Sequence, residues 1–165
     1  MSKKIIKESG MSFEVETENS FHIEQNSLLK KIEGCKVCEF IHVQNNELQL
    51  IEAKQSAPKP HNCEPFHEFV NTIKDKFSNS LQIFMAYFIG RYTSEKFPEN
   101  LKNIPLANIE IKFYLVIKNF QKEWLQPIND QLKQDMKLFL KNWNIKEVGI
   151  KVMNDIQAKD KGLIQ

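Results

Sequence analysis

The chain has 165 residues, 41 % of them hydrophobic and 27 % charged, with five glycines, six prolines and a formal net charge of +2. That length suffices for one compact unit with a substantial core and no disulfide support, and the composition is that of a soluble globular protein. The longest apolar run, Leu81 to Ile89, is interrupted by Gln82 and far too short to span a bilayer, while three cysteines, an odd number, speak against a disulfide framework.

In chain order, the opening MSKKIIKESG carries positive charge with no apolar stretch behind it, so neither a signal peptide nor a membrane anchor is expected; residues 1–10 read as loose and the setting as cytoplasmic. Phe13 and Val15 alternate with polar residues over Met11 to Glu16, which predicts a short strand. From Phe21 to Gly34 the spacing of Phe21, Leu28 and Ile32 suits a helix stopped by Gly34, although Ile23 to Asn26 would serve equally as a strand. Val37 to Val43 and Leu48 to Ala53, separated by Gln44-Asn45-Asn46, predict a β-hairpin. After the break at Pro58 and Pro60, apolar residues from Phe66 to Ile89 fall at helical spacing and predict a long helix over 65–92. A loop over 93–107 follows, then the apolar strand Ile109 to Ile117, a second amphipathic helix from Trp124 to Trp143, and a strand over 148–152. Pro127 is expected in the first turn of that helix, where its missing N–H costs little. The polar tail 154–165 reads as loose. This order predicts an α/β fold with a mixed central sheet and flanking helices across residues 1–165, a single domain.

The hairpin is the informative stretch. Alternation places Val37, Glu39, Ile41 and Val43 on one face and Cys38, Phe40 and His42 on the other, and groups Leu48, Leu50, Glu52 and Lys54 on the second strand. Charged side chains closing an apolar strand are costly to bury unless something compensates them, and a divalent cation between the carboxylates would do so. Two other acid-x-Lys triplets, Glu110-Ile111-Lys112 and Asp135-Met136-Lys137, lack this setting: no hairpin strand precedes Glu110, and Asp135 lies in a helical pattern.

An acid on one hairpin strand followed by Ile51-Glu52-Ala53-Lys54 on the next resembles the active-site hairpin of the PD-(D/E)XK nuclease superfamily. Cys38 stands where the eponymous proline would be, and Glu39 where aspartate is usual. The resemblance implies a restriction-endonuclease-like core, a Mg²⁺ cofactor replaceable by Mn²⁺, and metal ligation by Glu39 and Glu52, with Glu24 matching the upstream glutamate of many members. It implies that Lys54 is catalytic beside Glu39 and Glu52, positioning or activating the attacking water. The expected activity is phosphodiester hydrolysis in DNA, with RNA also open, and the expected partner is nucleic acid, with a homodimer or partner protein open. Gln55 and Lys59, just beyond the hairpin, and Lys74, on the polar side of the long helix with Lys76 and Arg91, are candidate phosphate contacts. The alternative is a catalytically inactive binding or assembly module of the same fold in a DNA-processing or defence complex.

Cys35-x-x-Cys38 with His61, Cys63 and His67 offers a second metal reading, since two cysteines and a downstream histidine and cysteine can make a zinc set. Buried unreactive thiols are the competing explanation. No Gly-rich phosphate loop is present, which argues against P-loop, kinase and dinucleotide-binding functions.

Overall fold

The computed structural model describes residues 1–94 and 96–165; Glu95, within the loop expected over 93–107, lies outside the described residues. The chain begins with an antiparallel pair, β1 (Lys3–Glu8) and β2 (Met11–Glu16), joined by a tight turn in which Ser9 (φ 50°) and Gly10 (φ 71°) are both left-handed. Then come β3 (Ser20–Phe21), β4 (Phe40–Gln44), β5 (Glu47–Lys54), the helix α1 (Cys63–Phe88), the short α2 (Glu99–Lys102), β6 (Glu110–Ile117), α3 (Lys122–Asn142), β7 (Ile150–Asn154) and α4 (Asp155–Asp160). Strands β3 to β7 form one mixed sheet in sequential order, antiparallel through β5 and parallel from β5 to β7.

The β4–β5 hairpin turns at Asn45 (φ 53°) and Asn46 (φ 60°), a two-residue loop of the hand that matches strand twist and that asparagine tolerates best among non-glycine residues. Strand β6 is buried on both faces. Phe113, Leu115 and Ile117 meet Leu48 and Leu50 of β5 beneath Ile73, Phe77 and Leu81 of α1 and Ile128 and Leu132 of α3. Tyr114 and Val116 join Ile51 and Phe40 on the opposite face, covered by Phe13 and Val15 of the β1–β2 hairpin and by Ala158 of α4. Each large side chain so buried contributes about 1.5–3 kcal/mol of transfer free energy, and α1 alone inserts Phe66, Val70, Ile73, Phe77, Leu81 and Phe84.

Four expectations are corrected. The ends are ordered: β1 lies in the segment read as loose, and α4 caps the tail with a reciprocal Asn154–Gln157 box, while Gln165 donates its N–H to the Ser12 carbonyl at 3.1 Å. Residues 21–34 form neither an α-helix nor a strand over 23–26, but two 3-10 turns, Ile23–Gln25 and Ser27–Lys30. The Asn26 side chain accepts the Leu28 N–H at 3.1 Å and donates to the Tyr87 hydroxyl at 2.8 Å, a local alternative to helical pairing. Helix α1 stops at Phe88, four residues early, because Gly90 (φ 79°) closes it with the Gly90 and Arg91 N–H groups donating to the Tyr87 and Ala86 carbonyls. Pro127 falls in the second turn, since α3 starts at Lys122. No helix among the described residues is long and apolar enough to cross a membrane.

Candidate functional site

The β4–β5 register ends at Phe40↔Ile51, and just before it the Glu39 N–H donates to the Ile51 carbonyl at 3.0 Å, which ties Glu39 to the strand that carries Glu52. Both side chains are buried, Glu39 at 6 % and Glu52 at 0 % exposure. Helix α1 holds the approach to β4 at two points: Asn79 Nδ2 donates to the Lys36 carbonyl at 2.9 Å, and Ser80 Oγ accepts the Cys38 N–H at 2.7 Å and donates to the Lys76 carbonyl at 2.6 Å. Lys76, one turn earlier, reaches Glu52 Oε1 at 2.8 Å, and Lys54 reaches the same oxygen at 2.9 Å. The second oxygen of each buried glutamate, Glu39 Oε2 and Glu52 Oε2, has no hydrogen-bond partner.

Two more acids come from outside the hairpin. The Ile23–Gln25 turn is tied to the sheet by the Glu24 N–H donating to the Glu39 carbonyl at 3.4 Å. The β1–β2 turn is held over the end of β5 by Ser9 Oγ donating to the Ala53 carbonyl at 3.0 Å and Lys118 Nζ donating to the Gly10 carbonyl at 2.9 Å. Glu8, Glu24 and Glu39 thereby place one carboxylate oxygen each within 4.8 Å of one another. His22 Nε2 approaches Glu8 Oε1 at 3.2 Å.

The electrostatics follow. Burial, a hydrogen bond to Glu24 and the charges of Glu52, Glu24 and Glu8 push the Glu39 carboxyl up to about 9. Glu52 is also raised, by burial, with Lys76 and Lys54 pulling against it. Burial disfavours the Lys76 ammonium, but Glu52 and then Glu39 and Glu24 outweigh that and raise it. Two buried carboxylates thus face two lysines, Glu8 and Glu24 add their charge from the margin, and burial favours the neutral form of both Glu39 and Glu52.

The predicted residues are distributed unevenly. Glu24, Glu39, Glu52 and Lys54 are in this region, yet Glu52 lies outside the close trio, and Glu8 occupies the place expected of it. Gln55 is exposed just past β5, Lys59 Nζ lies 5.1 Å over the Trp124 ring, and Lys74 pairs with Asp75 at 3.8 Å. Glu8 was hidden from sequence reasoning by its place in a segment with no periodic signal. Lys76 carried one: it sits beside Ile73, Phe77 and Ser80, at the margin of the apolar stripe rather than opposite it. Glu110 pairs with Lys112 at 2.6 Å on an exposed strand end.

The cysteine and histidine set does not assemble. Among the described residues the acidic trio is the one group of three or more potential ligands within reach of a single ion. Cys38 does not share the face of Phe40 as expected: it precedes β4, packs with Val37 into the α1-side core, and burial raises its thiol pKa. Cys63 opens α1, exposed, with its thiol against the His61 carbonyl.

Comparison of the chain with protein-family models, with curated proteins and with solved structures gave no match.

Proposed function

We propose that the protein is a metal-dependent nuclease with a restriction-endonuclease-like core, hydrolysing phosphodiester bonds in DNA or RNA. The observation that carries this reading is the pair of buried carboxylate oxygens without a hydrogen-bond partner among the described residues, Glu39 Oε2 and Glu52 Oε2, with Glu39 also part of an acidic trio. Unpartnered buried carboxylate oxygens are costly, and oxygen-only donors suit a hard divalent cation such as Mg²⁺ or Mn²⁺.

Glu39, with Glu24 and Glu8, would hold the ion, while Glu52, outside that trio, would hold Lys76 and Lys54 beside it. When bound, such an ion supplies a water of lowered pKa and offsets charge on a phosphate. The protein's own residues do the positioning. Lys76, 12 % exposed, clamps Glu52 Oε1 from α1 and so orients Oε2. Lys54, the more exposed of the two lysines at 30 %, keeps a compact ammonium on the same carboxylate, from which it can turn to a water or a phosphate oxygen.

The test combines binding and turnover. Mn²⁺ is expected to raise the melting temperature of the parent and to leave Glu39→Gln unmoved, because linkage requires an intact site. Lys54→Ala should keep that Mn²⁺ response and lose about 10²-fold or more in cleavage of single- and double-stranded DNA and RNA. An equal Mn²⁺ shift in parent and Glu39→Gln would place the ion elsewhere and overturn the assignment. Mn²⁺ binding at this site with no cleavage of any substrate would instead support the inactive binding module.

A further inference from the structure

Strand β7 ends the sheet: among the described residues it pairs with β6 and with no other strand. A groove of about 690 Å³ runs along it and is lined by four consecutive residues, Ile150 to Met153. Consecutive strand residues point to opposite faces, so a cavity that touches all of them lies along the strand's free edge, where main-chain donors and acceptors are unpaired. One wall is α3, contributing Leu125 and Asn129, and the other is α4. Lys122, Lys133, Lys151 and Lys161 line this groove against a single acid, Asp160, in a chain whose total charge is only +2.

We infer that this edge is a docking site for an extended acidic peptide segment of a partner protein, which adds to the five-stranded sheet beside β7. Two features select that occupant. The free edge offers main-chain pairing of the kind that captures peptides by strand addition. The lysines complement carboxylates, and the same charges oppose pairing with a second copy of the chain, which would set its own lysines against them.

The experiment uses the full chain and a fluorescein-labelled peptide of alternating valine and glutamate, read by anisotropy. Three competitors are compared: the same peptide N-methylated at alternate residues, its lysine-for-glutamate counterpart, and an oligothymidylate. The acidic peptide should bind, and the N-methylated and lysine peptides should bind at least about tenfold more weakly. Lys122→Glu combined with Lys151→Glu, both exposed, should lose at least about tenfold in affinity at unchanged melting temperature. Absence of binding, indifference to N-methylation, tighter binding of the oligothymidylate at the same lysines, or occupation of the groove by a second copy in sedimentation would each overturn the inference.

Discussion

Ser80 is a small residue with a large share in the site. Its hydroxyl joins α1 to the chain just before Glu39, satisfying the Cys38 N–H at 2.7 Å. Removing it leaves a buried donor without a partner, so Ser80→Ala should cost about 1–3 kcal/mol in urea unfolding. The same change should weaken Mn²⁺ stabilisation, because the backbone that presents Glu39 is freed. Across the sheet, His42 shows the opposite titration from Glu39. Burial holds the imidazole neutral down to about 4, despite the Gln49 hydrogen bond and the charge of Glu47, against an ordinary value of 6.5. Between those values the unfolded chain binds a proton that the folded chain refuses. Stability is therefore expected to fall as pH drops from about 6.5 to about 4. His42→Asn should flatten that part of the melting-temperature profile; an unchanged slope would assign it to other groups.

Elements differ in how far their local signals reach. The β4–β5 hairpin, the strand β6 and the stripe of α1 are legible in the sequence, because alternation, a two-residue turn and a helical period are properties of neighbours in the chain. Glu8 and the course of residues 21–34 are not. Glu8 matters only because the Ser9 and Gly10 turn docks on β5, and Asn26 abandons helical pairing only because Tyr87 waits on α1. The position of Lys76 is halfway legible: its place at the stripe's edge marks it as half-buried, but nothing local names Glu52 as its partner. Helix α3 carries its own misfit at Pro127, whose ring removes the N–H that would pair with the Glu123 carbonyl four residues earlier. Pro127→Ala should stabilise the protein by about 1–3 kcal/mol, as a rise in the urea midpoint with an unchanged slope.

In the molecule as a whole, every carboxylate and lysine of the candidate centre precedes Phe88, while β6, α3 and β7 complete the sheet beneath it. Charge is likewise divided, with the acidic trio where the β1–β2 turn and the Ile23–Gln25 turn meet Glu39, and the lysines at the β7 edge. The parallel pairing of β5 with β6, from Glu47↔Glu110 to Lys54↔Ile117, has a further consequence during synthesis. When β5 leaves the ribosome its antiparallel neighbour β4 is already made, but its other edge must wait for a strand some sixty residues later in the chain. For that interval an apolar strand, Leu48 to Ala53, presents both faces and one open edge, the conditions under which nascent chains associate. A chain truncated after Asn108 should therefore scatter light and bind a holdase chaperone, where the full chain stays clear; a soluble truncated monomer would show that β1–β2 and α1 shelter the strand unaided.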